Sequence, residues 1–143
     1  MGTLSIYLEL GKARLSALVL ATTWAGFVLA GSADPRSWTL VSTLAGTGLA
    51  AMGANALNQW RERPFDALME RTRARPLPAG RISSRHALLF GLAAAVLGVA
   101  VLCVVGWLAA ALAAAVVLLY VLVYTPLKRT STLCTLVGAV CGA

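Results

Sequence analysis

Charge is what this sequence has least of. Lys, Arg, Asp and Glu make up 12% of its 143 residues, against 59% hydrophobic residues; a soluble chain carries roughly a quarter charged and about half apolar residues. A water-facing shell needs more polar surface than this. That excludes a soluble globular domain, a disordered chain and a coiled coil. Acidic residues are the scarcest, five against twelve basic, for a formal net charge of +7. In a soluble protein that excess would point to nucleic acid. Here the bases sit between long apolar runs, so no nucleic acid is expected and the partner they indicate is a lipid bilayer. Cysteine is rare as well. Cys103, Cys134 and Cys141 form no C-x-x-C and lie inside apolar runs. Neither a disulfide framework nor a zinc site is supported, and each reads as a small packing residue.

What is present is a series of uncharged stretches at 15–31, 38–58, 86–105 and 107–125. Each approaches the ~20 helical residues that cross a ~30 Å hydrocarbon layer. A fifth apolar segment starts near Thr130 and stops at Ala143 in GAVCGA, without a polar cap. The expected fold class is therefore all-α, a polytopic transmembrane helix bundle of four spans plus the start of a fifth. On this reading 1–143 is the N-terminal half of a longer domain. Asp34-Pro35 marks a turn between the first two spans, and Gly106 a minimal break between the third and fourth. The first run is not read as a cleaved signal, because Lys12 and Arg14 come late and a second span follows at once. Small residues such as Gly46, Gly48 and Gly53 suit close helix packing in lipid.

Eleven of the twelve bases fall before the first span, in 59–85 or in 126–129; Arg36 alone falls in the other loops. The positive-inside rule places the N-terminus and those two loops in the cytoplasm. Glu9 sits in the leader and Arg is scarce there, unlike a transit peptide, so a bacterial cytoplasmic (inner) membrane is expected.

Chemistry concentrates in the loop expected at 59–85, which carries seven Arg, two Glu and one Asp. Asn58, Glu62 and Asp66 are spaced i, i+4, i+8, which stacks them on one helix face at the membrane edge. Oxygen ligands of this kind suit Mg²⁺, which usually shares them with substrate phosphates. Arg71, Arg73 and Arg75 follow, with Thr72 between, and guanidinium groups match phosphate oxygens. Two readings stay open from spacing alone. One is a metal and diphosphate site. The other is a loop that only enforces topology, with Glu62 and Glu70 as solvated partners of neighbouring bases. Pro64 is predicted to kink or end the helix between Glu62 and Asp66.

The stretch NALNQWRERPFDALMERTRARPLPAGR, residues 55–81, resembles the first acidic motif of the UbiA superfamily of intramembrane prenyltransferases. That motif is commonly written N-D-x-x-D-x-x-x-D, then R-T-x-x-R-P-L. Asn58 matches its Asn, Glu62 stands in for the middle Asp and Asp66 matches the last Asp. Arg71, Thr72, Arg75, Pro76 and Leu77 match the second block, while Gln59 departs from the Asp usual in quinone-type members. The likeness is closest to the branch that farnesylates heme B. Gly11-Lys12-Ala13-Arg14 resembles that branch's T-K-P-R start, with Ala13 replacing Pro. Tyr124 to Arg129 and Leu136 to Ala143 resemble its Y-T-x-x-L/K-R-x-T…G-x-x-x-G-A block.

The resemblance implies roles. Asn58, Glu62 and Asp66 would hold Mg²⁺ on farnesyl diphosphate, and Arg71, Arg75 and Lys128 would contact the diphosphate. Tyr124 would face the same cavity and steady an allylic cation through its π face. The cation would add to a vinyl group of heme B, giving heme O. Implied partners are farnesyl diphosphate, heme B, and heme A synthase or terminal oxidase assembly factors. Lys12, Arg14 and Arg129 are read as topology determinants. His86 is read as opening the third span, with Ser83 or Ser84 as N-cap. Superfamily members carry further spans and a second acidic motif, so this chain alone is expected to be inactive. Three alternatives remain: a UbiA-type enzyme for an aromatic or quinone precursor, a membrane scaffold without chemistry, and half of a transporter. Gln59 argues against the first, and the uncharged spans argue against the last.

Overall fold

The computed structural model of the protein describes residues 3–31, 37–128 and 132–142. They form α1 (Thr3–Leu10), α2 (Ala13–Leu29), α3 (Trp38–Asp66), α4 (Ser84–Val105), α5 (Trp107–Leu127) and α6 (Cys134–Gly142), with no strand among the described residues. The all-α expectation holds. α3, α4 and α5 are long and apolar enough to cross a membrane, whereas α2, where the first span was expected, has 17 residues. At 1.5 Å per residue α2 reaches about 26 Å, a little short of the hydrocarbon layer. The expected turn at Asp34-Pro35, and also Arg36 and Arg129, lie outside the described residues.

α3 packs most extensively on α4, at backbone distance. A Cβ on Gly53 would sit 2.4 Å from the Ala95 nitrogen and 2.7 Å from the Gly91 oxygen. The same arrangement recurs two turns away, where a Cβ on Gly98 would sit 2.4 Å from the Ala50 nitrogen and 2.7 Å from the Gly46 oxygen. At Gly53 and Gly98 the first atom of any side chain would run into facing backbone, so only glycine fits there without moving a helix. Lipid supplies no hydrophobic drive between helices, so such close contact is what holds them together. Gly98→Val is expected to push α3 from α4 at a cost of about 2 kcal/mol or more. The check is a lower melting temperature in detergent than that of Val96→Ala, a change on the exposed face of α4; equal melting temperatures would count against this packing.

Helix starts follow local chemistry. The Ser37 hydroxyl accepts from the Leu40 N–H at the start of α3, and the Ser83 hydroxyl accepts from the His86 N–H at the start of α4. His86 is therefore a first-turn residue, with Nδ1 3.0 Å from Ser83 Oγ. At the charged end of the bundle Ser84 Oγ receives both Trp60 Nε1, at 2.9 Å, and an Arg63 guanidinium, tying α3 to α4. Extended backbone at Gly106 separates α4 from α5.

The loop expected from 59 starts later: α3 continues to Asp66, as a helical stripe of Asn58, Glu62 and Asp66 requires, and Pro64 does not end it. Pro64 lacks the N–H that would reach the Trp60 carbonyl. Its ring lies on the exposed side, and the helix closes within a turn through Ala67 N–H to Arg63 O at 3.2 Å. One missing bond so near a helix end is tolerated. The loop proper is 67–83, a run of tight turns. Its last turn has the Schellman pattern, with Arg81 N–H bonded to Pro76 O (2.9 Å), Gly80 N–H bonded to Leu77 O (3.1 Å) and Gly80 left-handed at φ 69°. Leu77 packs with Leu10, Ala56 and Ala87, so the loop is anchored in a small apolar core shared by α1, α3 and α4.

Candidate functional site

The stripe on α3 faces inward. Asn58, Glu62 and Asp66 are 2%, 6% and 4% exposed, while Arg63, Pro64 and Phe65 on the other side of the same turns are exposed. Burying carboxylates is costly unless each is paired. Each member of the stripe has a cationic partner, and the three cations come from three separate segments. Lys12 Nζ, from the α1–α2 junction, donates to Asn58 Oδ1 at 3.3 Å. Lys128 Nζ, from the end of α5, lies 3.3 Å from Glu62 Oε1. Arg75, from the loop, lies 2.7 Å from Asp66 Oδ2.

Neighbouring groups fix these pairs. Asn58 Nδ2 donates to Thr125 Oγ1 at 3.0 Å, and Thr125 Oγ1 donates to the Tyr120 carbonyl at 2.8 Å. α5 is π-helical over Leu119–Tyr124, and Arg61 donates to the Val121 carbonyl in that turn at 2.9 Å. A π-turn inserts a residue and rotates the rest of the helix beyond it, and in this register Thr125 meets Asn58 while Lys128 meets Glu62. Thr72 Oγ1 donates to the Asp66 carbonyl at 3.0 Å, closing the loop onto the end of α3.

Lys12 stands out electrostatically. Its ammonium is held below the ordinary lysine range, first by burial and then by Arg75 and Lys128, with Glu62 and Asp66 pulling it back up. One ammonium thus senses all four other charges, so Lys12, Glu62, Asp66, Arg75 and Lys128 form a single cluster. Lys12 also has φ 50° and ψ 58°, the only positive φ outside glycine among the described residues. That conformation costs roughly 1–2 kcal/mol, so the surrounding structure must enforce it.

The other expected site residues are placed differently. Arg71 is exposed and takes no part in the bonds that join the cluster. Tyr124 stacks on Tyr120 with ring centroids 5.1 Å apart, and its ring edge lies where a Cβ on Gly138 would be 3.1 Å away. It packs α5 against α6. Lys12 and Thr125 are the members that sequence reasoning missed. Both lie in stretches already singled out, GKAR and YTPLKR, where the charge pattern alone read as topology.

In donor chemistry the cluster fits a hard divalent ion shared with a phosphate ligand: two carboxylates and an amide oxygen on one face, ringed by phosphate-seeking bases. Among the described residues no group of three His, Cys, Asp or Glu is gathered as a self-sufficient metal cage.

An apolar helix bundle with an oxygen stripe and converging bases at one end is what the family match below describes by sequence. Residues 19–143 match the UbiA prenyltransferase family, and the chain belongs to it. It is a multi-pass membrane protein by family and by its apolar helices. Its relatives carry a more particular name. The human protein named "Protoheme IX farnesyltransferase, mitochondrial" is 48% identical over 140 residues, covering 96% of this chain and 31% of its own length. "Protoheme IX farnesyltransferase" of Anaeromyxobacter sp. (strain Fw109-5) is 49% identical over 138 residues, covering 95% and 46%. The Arabidopsis thaliana protein named "Protoheme IX farnesyltransferase, mitochondrial" is 47% identical over 139 residues, covering 96% and 32%. The chain therefore spans less than half the length of these relatives. No solved structure matches it significantly.

Proposed function

We propose that the chain supplies the first part of the active site of a farnesyltransferase that alkylates a vinyl group of heme B to give heme O. The observation that carries this reading is the convergence of Lys12, Arg75 and Lys128 on Asn58, Glu62 and Asp66. Three cations against two carboxylates leave one positive charge, too little to neutralise a diphosphate. Glu62, Asp66 and the Asn58 amide oxygen would hold Mg²⁺ to make up the balance. When bound, that ion supplies Lewis-acid stabilisation of the leaving diphosphate.

The chain's own residues do the rest. Lys12, Arg75 and Lys128 grip phosphate oxygens and neutralise the charge that grows as the allylic C–O bond breaks. Thr72 holds the loop that carries Arg75 and the π-turn sets the register of Lys128, so little reorganisation of these two is needed at that moment. Arg71, exposed on the loop, meets the incoming diphosphate first. Tyr124, with one ring face stacked on Tyr120, would serve the allylic cation through the other face. The apolar helices exclude water from that cation.

The names and 42–49% identities of the relatives support the choice of heme B as acceptor. In this reading α2 crosses as a fourth span and the charged end of the bundle, with the N-terminus, faces the cytoplasm of a bacterial inner membrane. The test is substrate choice. Membranes from cells expressing the full reading frame are given farnesyl diphosphate, Mg²⁺ and either heme B or 4-hydroxybenzoate. Heme O, detected by mass spectrometry, is the expected product. A prenylated benzoate alone would favour the quinone-precursor alternative; no product from either, with the protein present, would favour a scaffold.

A further inference from the structure

We propose that Ser16, Asn55 and Gln59 are positioning residues that hold the Lys12 ammonium over the diphosphate site by clamping the carbonyl end of α1. The inference rests on the reading of Lys12 as a diphosphate contact. A helix ends in carbonyls with no partner of their own. α1 is followed after only two residues by α2, and its end is buried, with Leu10 fully so. Three consecutive carbonyls accept from side chains there, that of Glu9 in addition to the Lys12 N–H at 3.1 Å. Gln59 Nε2 donates to Glu9 O at 3.1 Å and Leu10 O at 2.9 Å. Gly11 O accepts from Ser16 Oγ at 3.0 Å and Asn55 Nδ2 at 3.4 Å.

Asn55 and Gln59 are one turn apart on α3, and Asn58, which Lys12 touches, lies in that same turn. One turn of α3 therefore carries both the clamp and the target. The next residue after the clamped carbonyls is Lys12, in its left-handed conformation. Gln59 is 2% exposed and its Oε1 has no partner among the described residues. Its orientation is nonetheless fixed, because the reverse would set Oε1 against two carbonyl oxygens. A donor amide is what this position needs.

The experiment is a double-mutant cycle in the full reading frame, read as the KM for farnesyl diphosphate. Lys12→Met is expected to raise KM about tenfold, the loss of one charge-assisted hydrogen bond. Gln59→Leu is expected to raise it several-fold with kcat little changed. Ser16→Ala, which removes one hydroxyl and keeps the fold, is expected to raise it about twofold. In the Lys12→Met background neither adds anything. A merely structural role would lower the amount of folded protein equally in both backgrounds and leave KM alone. Increases that add to that of Lys12→Met would overturn the proposal. If Gln59→Leu does not fold, Ser16→Ala with and without Lys12→Met decides. An unchanged KM in Lys12→Met would also overturn it, whereas failure of the broader site reading appears separately, as full activity in Glu62→Gln.

Discussion

Glu62→Gln in the full reading frame is expected to lower farnesyl transfer by about 10²–10³-fold, the loss that comes with removal of one preorganised charge-stabilising group. The substitution keeps shape and removes one negative charge from a side chain that is 8% exposed. Its partner Lys128 is 48% exposed, so the freed ammonium is hydrated and the fold loses only about 1 kcal/mol or less. Activity and stability therefore separate. The Mg²⁺ dependence of the residual activity should move to higher concentration, because one of two carboxylates is gone. Rates of heme O formation against Mg²⁺, with protein amount in the membrane as control, check this. Wild-type rates at every Mg²⁺ concentration would remove Glu62 from the chemistry and return it to a mere partner of Lys128.

The stripe itself was legible in the sequence because spacing on a helix is arithmetic. Asn58, Glu62 and Asp66 share a face in any helix that continues past 58. Whether it continued was the difficulty. Pro64 favours a break through one missing hydrogen bond, and the weight of that bond depends on how close the helix end lies, which no local signal states. The Ser83 cap and the Gly106 break were equally legible, since both are local. Of the three cations, Arg75 and Lys128 were named through the family resemblance and Lys12 was not, and the group that each one meets was not legible. Lys12, Arg75 and Lys128 lie 46, 9 and 66 residues from the groups they meet, and such pairings are made by packing. Lys128 reaches Glu62 through a π-turn that no periodicity in LYVLVY announces. Lys12 reaches Asn58 only because α1 turns into α2 through a backbone conformation that lysine rarely adopts. Arg71 shows the reverse case, a base in the right run of sequence that faces outward.

Arg75→Met is expected to damage both the loop and the reaction, and a second substitution separates the two. The Asp66 side chain is 6% exposed and its carboxylate depends on the Arg75 side chain, itself only 24% exposed. Breaking a buried pair by removing one partner costs about 3–5 kcal/mol; partial exposure of Arg75 reduces that to about 2 kcal/mol here. The strain falls on the turn where Thr72 holds the Asp66 carbonyl and Pro76 and Leu77 enter the core. Proteolysis within 67–83 should therefore be faster in Arg75→Met than in the parent. Adding Asp66→Asn removes the stranded charge, and protease resistance should return towards the parent's. Farnesyl transfer should not return, because the double variant lacks both a phosphate contact and a carboxylate. Recovery of the two together would mean that the pair only braces the loop. Recovery of resistance without activity would mean that one ion pair shapes the loop and also lends both its members to the diphosphate site.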